Sequence, residues 1–287
     1  MSSKDALAGR PGMTEGQRKL YVYGSGSVFS YRKDPRFSYC MYVPPEAGAN
    51  SGPLDLVVAV HGTFRAFTQC RDAFAEFGRW HRCAILAPLF PVGPLGDDNM
   101  NGYKMLKEDG IRYDHVLLGM VEELSDRIGH RFDRFALFGY SGGGQFANRF
   151  GLLHPERLWA LSIGAPGMVT LIDPDRDWWV GTRGAQAEFG KSLDLDALRR
   201  LPVQMVVGKA DLETWEITLR PGDQDYMDGA NDAGATRPER LQALRESFER
   251  AGVNVRFDVL PNVAHDWTRS VGPAQGFLSD CLKRLRA

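Results

Sequence analysis

The chain alternates between short, almost wholly apolar runs and longer segments whose apolar residues recur at helical spacing. The clearest run is Leu54-Asp55-Leu56-Val57-Val58-Ala59-Val60, introduced by Pro53 and closed by His61-Gly62-Thr63. A run this apolar reads as a central strand covered on both faces. Residues 37–43, 83–90, 135–138, 158–163, 203–207 and 253–260 read as further strands. Helices are expected over 70–80, 111–128, 145–153, 238–251 and 277–285. In the second of these, Val116, Leu117, Met120, Val121, Leu124 and Ile128 share one face. Residues 19–23 cluster β-formers and are expected to be extended. Strands alternating with helices at this spacing predict an α/β fold, with a mostly parallel central sheet and helices on both faces.

Four intervals break the alternation. Residues 1–18 are polar and read as a flexible tail, with one domain expected over 19–287. Residues 92–110 look loop-like, and 212–236 are turn-rich. The interval at about 167–200 is too long for a simple connection and carries Trp178, Trp179 and Phe189. A small inserted cap or lid is expected there.

Bulk properties narrow the function classes. Lys and Arg number 35 against 36 Asp and Glu, a net charge of -1, so charge gives no case for a nucleic-acid partner. No apolar run approaches ~20 residues, so no membrane span is expected. Cys40, Cys70, Cys83 and Cys281 show no metal or disulfide spacing and read as reduced thiols. The first residues lack the apolar stretch of a secretory signal, and a cytoplasmic protein is the expectation. Asp97, Asp98 and Asn99 lack the spacing of a calcium loop. No metal and no cofactor are expected.

The candidate chemistry begins at Gly139-Tyr140-Ser141-Gly142-Gly143, a G-x-S-x-G placed between an expected strand and an expected helix. That context is what a nucleophile elbow requires: a turn so tight that its neighbours must be small. Serine needs a base within hydrogen-bond reach, usually a histidine oriented by a carboxylate. Asp211 follows the strand at 203–207, and His265 follows the strand at 253–260. The order Ser…Asp…His is therefore present, with Glu213 as the nearest competing acid. His61, at the end of the first central strand, reads as a residue that shapes its loop.

With Ser141 in G-Y-S-G-G, Asp211 in V-G-K-A-D and His265 in N-V-A-H-D-W, the chain resembles the α/β-hydrolase superfamily, in particular its esterase and depolymerase-like branches. The resemblance spans about residues 37–286. It implies Ser141, Asp211 and His265 as the catalytic residues. It also implies an oxyanion hole built from the backbone N–H groups of Gly142 and of Thr63 (or Phe64) in His61-Gly62-Thr63-Phe64. The segment is H-G-T-F where bulky-alcohol esterases and lipases carry H-G-G-G. Phe64, Tyr103, Trp178, Trp179, Trp215 and Trp267 are candidate substrate-binding residues, because loop aromatics near strand ends can clamp an apolar group. The expected activity is cleavage of a small-molecule carboxylic ester through an acyl-enzyme. An amidase or peptidase with the same triad, and a non-catalytic binding protein retaining the fold, are the alternatives.

Overall fold

The computed structural model describes residues 14–47 and 52–287. In chain order the strands are β1 (Gly24–Ser25), β2 (Phe29–Ser30), β3 (Ser38–Val43), β4 (Asp55–Val60), β5 (Cys83–Leu89), β6 (Lys107–Glu108), β7 (Ile111–Arg112), β8 (Phe135–Tyr140), β9 (Leu158–Gly164), β10 (Val203–Gly208) and β11 (Val255–Leu260). The helices are α1 (Glu15–Tyr21), α2 (Phe67–His81), α3 (Gly102–Met105), α4 (Tyr113–Ile128), α5 (Gly142–Leu153), α6 (Ala185–Phe189), α7 (Leu195–Arg200), α8 (Arg237–Arg250) and α9 (Trp267–Leu285).

The main sheet runs β1-β3-β5-β4-β8-β9-β10-β11, with β2 added on β3. From β5 to β11 every pairing is parallel, while β3 joins β5 antiparallel. Every residue of β8, β9 and β10 is buried, which is possible only when both faces of the sheet are covered. Helices α2 and α9 pack on one another and on the sheet, and α5 lies over β8 and β9. Among the described residues no helix is long and apolar enough to cross a membrane.

Three expectations about elements need correction. Residues 19–21 are helical: Thr14 and Gln17 exchange side-chain-to-backbone bonds of 2.9 and 3.2 Å, a capping box that starts α1 before the β-formers are reached. This helix also occupies the end of the expected tail; residues 1–13 of that tail lie outside the described residues. The loop-like interval at 92–110 contains α3 and the first strand of the β6–β7 hairpin. The last helix starts ten residues earlier than expected. Asp266 accepts from the Thr268 N–H at 2.9 Å and caps α9, and Gly272, Pro273 and Gly276 hide the helical spacing of its first turns.

The long intervals after β9 and β10 are tied to α8 by one buried arginine. Arg240 is 1% exposed. Its guanidinium donates to the carbonyls of Gly167, of Ile217 at 2.8 Å and of Gly234 at 2.8 Å, and to Asn231 Oδ1 at 3.1 Å. The bonds to Gly167 and Ile217 are buried, and a buried carbonyl left without a donor costs ~1–3 kcal/mol. Arg240→Met is therefore expected to lower stability by at least ~2 kcal/mol, a fall of several degrees in Tm for a chain of this size. Thermal melting checks it, and an unchanged Tm would show that these segments are held by other contacts.

Candidate active site

Strand β8 ends at Tyr140 and helix α5 begins at Gly142, so Ser141 alone makes the turn. It does so at φ 58°, ψ −118°, a backbone region that costs a non-glycine residue ~1–3 kcal/mol. Two bonds fix it: the Ser141 N–H to the Gly164 carbonyl at 2.8 Å, and the Gln145 N–H to the Ser141 carbonyl at 3.0 Å. The crossing is close enough that a Cβ on Gly139 would meet the Gly143 carbonyl, and one on Gly143 would meet the Val60 carbonyl.

Strands β10 and β11 run parallel and in register, with Gly208 beside Leu260. The loops that leave them therefore start side by side. His265 Nδ1–H donates to Asp211 Oδ2 at 2.6 Å. The carboxylate is an acceptor, so Nδ1 carries the proton, and in the neutral ring Nε2 is then the acceptor. The second oxygen of Asp211 accepts from Arg237 Nη1 at 3.1 Å, and Arg237 Nη2 reaches Glu216 at 2.7 Å. Asp211 is wholly buried. Among the described residues Glu213, the competing acid, makes no side-chain bond to His265; its carbonyl accepts from Arg237.

Ser141 and His265 open into one cavity of about 510 Å³. Thr63, Phe64, Trp215 and Trp267 also line it. The Thr63 N–H lies beside Gly142: a Cβ built on that glycine would be 3.3 Å from it. Phe64 is 93% and Trp215 73% exposed, so both stand at the rim.

Three of the aromatic candidates do not line the cavity. Tyr103 is buried beneath the Thr63 loop, stacked on Phe90 at 5.6 Å, with its hydroxyl donating to the His61 carbonyl at 3.4 Å. Trp178 packs edge-on against Phe189 at 4.9 Å. Trp179 donates from its indole to the Asp225 carbonyl at 3.0 Å and lies under the Arg149 guanidinium. Both tryptophans pack their segment onto the body, and of the interval at 167–200 only Gly167 and Met168 reach the cavity wall. The interval at 212–236 contributes Trp215, Glu216, Ile217 and Leu219 to the lining.

Sequence reasoning missed Arg237, Glu216 and Lys104, all of which line the cavity. Arg237 stands at the start of α8 next to Pro238, a place that reads as a helix cap and nothing more. Lys104 is buried, and burial pushes its ammonium down to about 8. No signal in the sequence marks a lysine as buried.

His61 supports the Thr63 loop from behind. Its Nε2 accepts the Phe90 N–H at 3.0 Å and its Nδ1–H donates to the Gly62 carbonyl at 2.8 Å. It is fully buried, and burial drives its pKa down to about 3.

The comparisons with known proteins agree with this architecture. No protein-family model and no curated protein matches the sequence. Solved structures do match the fold. Poly(aspartic acid) hydrolase-1 from Sphingomonas sp. KT-1 superposes with a TM-score of 0.67 at 18% identity, covering 84% of this chain and 92% of that one. A poly(3-hydroxybutyrate) depolymerase from Bordetella parapertussis gives 0.66 at 22%, covering 85% of each chain. An S-formylglutathione hydrolase from Agrobacterium tumefaciens gives 0.58 at 18%, covering 90% and 94%. The chain has the α/β-hydrolase fold.

His61 gives the site a pH signature. The unfolded chain takes up a proton near pH 6.5, which the folded protein refuses until about pH 3. Stability contributed by the neutral ring is thus complete above pH 6.5 and is lost as pH falls through that window, by ~1.4 kcal/mol per pH unit. His61→Gln is expected to make the slope of unfolding free energy between pH 6 and 4 shallower by about one proton's worth. Urea unfolding at stepped pH measures this, and equal slopes would mean that His61 titrates freely in the folded state.

Proposed function

We propose that the protein is a serine hydrolase that cleaves carboxylic esters. The observation that carries this reading is the 2.6 Å bond from His265 Nδ1 to the buried Asp211, in a cavity that also receives the strained Ser141. Ser141 Oγ attacks the ester carbonyl carbon as His265 Nε2 takes its proton. The oxygen that becomes negative is met by the N–H groups of Gly142 and Thr63, each such donor being worth ~3 kcal/mol in the transition state. His265 returns the proton to the departing alcohol. Water then attacks the acyl-enzyme by the same route and releases the acid. Asp211 holds the ring and balances the imidazolium; Arg237 fixes Asp211 from its far side. The three compared structures are named as hydrolases or a depolymerase, which supports the reading at the level of class.

Turnover of short-chain esters by variants tests it. Ser141→Ala is expected to lower kcat by ~10⁶ with the circular dichroism unchanged. Asp211→Asn is expected to cost ~10⁴, and Glu213→Gln little. A Ser141→Ala protein that keeps several per cent of activity, or a Glu213→Gln more damaging than Asp211→Asn, would overturn the assignment.

The packing of the tryptophans divides them by role. Trp215→Ala is expected to change relative kcat/KM across esters of graded acyl length by ~1–3 kcal/mol, as for a lost pocket contact, with little change in Tm. Trp179→Ala is expected to lower Tm and to leave the acyl-length preference alone. A shift in preference from Trp179→Ala and none from Trp215→Ala would reverse this division.

A further inference from the structure

Lys104 is a charged side chain in the cavity wall that the proposed reaction does not use. It is 7% exposed, and its ammonium donates to Asn101 Oδ1 at 2.7 Å. An ammonium has three donors, and this is the only bond it makes among the described residues. No carboxylate of the described residues lies within ion-pair distance. Asp225 shares Asn101 with it, accepting from Asn101 Nδ2 at 2.6 Å. The other acids near the cavity, Asp211 and Glu216, are both taken by Arg237.

Two more cations stand near this lysine, Arg65 partly buried and Arg149 fully buried. Arg65 donates to the carbonyls of Thr63 at 2.5 Å, Phe90 at 3.2 Å and Met100 at 2.9 Å. Arg149 donates to the Lys104 carbonyl at 2.7 Å and to Thr170 Oγ1 at 3.0 Å. Neither is paired with a carboxylate among the described residues, so their charges add to that of Lys104. Three cations therefore gather at the Lys104 end of the cavity against one nearby acid, Asp225, which is bonded to Asn101, while Asp211 and Glu216 are bonded to Arg237. Lys104 also lies close to where the reacting carbonyl would bind: its Cε is 3.0 Å from a Cβ built on Gly142, and the Thr63 N–H is 3.3 Å from the same point.

A buried ammonium with spare donors is costly unless something pairs it. A neutral ester leaves that cost in place, whereas a carboxylate removes it through a charge-assisted bond. We propose that Lys104 binds a carboxylate carried by the ester substrate, so that the substrates of this protein are anionic esters. The proposal rests on the serine-hydrolase reading and names its substrate class.

The carboxylate can stand on either side of the ester bond, so the test has two arms. Monoethyl esters of succinic, glutaric and adipic acid place it on the acyl side, with ethyl butyrate, valerate and caproate as neutral counterparts. Acetoxyacetate, 3-acetoxypropionate and 4-acetoxybutyrate place it on the alcohol side, with ethyl, propyl and butyl acetate as counterparts. In at least one arm the wild-type protein is expected to favour the anionic ester in kcat/KM by about tenfold or more, the size of a hydrogen bond to a charged group. Lys104→Met is expected to cut that anionic-to-neutral ratio by about tenfold or more, mainly through KM. The ratio is taken on one sample, so a partly unfolded variant does not distort it. Wild-type preference for the neutral ester in both arms overturns the proposal. So does a uniform fall in kcat that leaves the ratio unchanged, which would assign Lys104 to the charge on the reacting oxygen. If the wild-type protein turns over no ester, the hydrolase reading fails separately, and calorimetric titration of Ser141→Ala with succinate, glutarate and adipate decides the binding claim. Binding lost on adding Lys104→Met upholds it, and no binding to Ser141→Ala overturns it.

Discussion

The turn at Ser141 is the constraint on which the rest of the site depends. One residue must carry the chain from the end of β8 into α5, and it can do so only at positive φ. The strand and helix then cross so closely that Gly139 and Gly143 have no room for a side chain. In return, the serine stands at the carboxyl end of a parallel sheet, beside the first N–H groups of α5, which have no partner within the helix. The loop after β4 is packed against that same crossing, so the Thr63 N–H arrives next to Gly142. Behind it, His61, Phe90 and Tyr103 form a buried aromatic layer whose hydrogen bonds hold the loop still. A strained turn persists only when its surroundings over-determine it, and here they do.

The second half of the site is assembled from a distance. Asp211 and His265 lie 54 residues apart, yet the parallel register of β10 and β11 releases their loops side by side. Arg237, at the start of α8, then grips the carboxylate from behind. The same helix supplies Arg240, which ties down the segments carrying Gly167 and Ile217, both in the cavity wall. Two arginines three residues apart thus link the proposed acid to the wall that would face the substrate.

What the sequence reveals follows from how local each feature is. The strands of the parallel sheet are legible because burial on both faces makes them continuous apolar runs, as in 54–60 and 203–207. The elbow is legible because its glycines and serine are contiguous. Asp211 and Glu213 are harder to separate, since both follow the same strand and only the position of His265 distinguishes them. The tryptophans mislead for a related reason. Residue type marks Trp178 and Trp179 as apolar payload, but whether they face a cavity or a neighbouring helix is set by tertiary packing. Lys104 is the extreme case: nothing local marks a lysine as buried, and only the folded chain puts it inside, with its ammonium bonded to Asn101. The start of α9 is hidden by Gly272, Pro273 and Gly276, which break the periodicity that a helix is recognised by.

The central claim is that the geometry around Ser141 makes this one serine a nucleophile. Treating the folded protein with a fluorophosphonate and locating the adduct by peptide mass spectrometry tests it most directly, because it needs no knowledge of the natural substrate. The account expects a single adduct on Ser141, lost when Asp211 is replaced by Asn at the same probe concentration and time. No adduct on the folded protein, or an adduct on another residue while Ser141 stays unmodified, would contradict it.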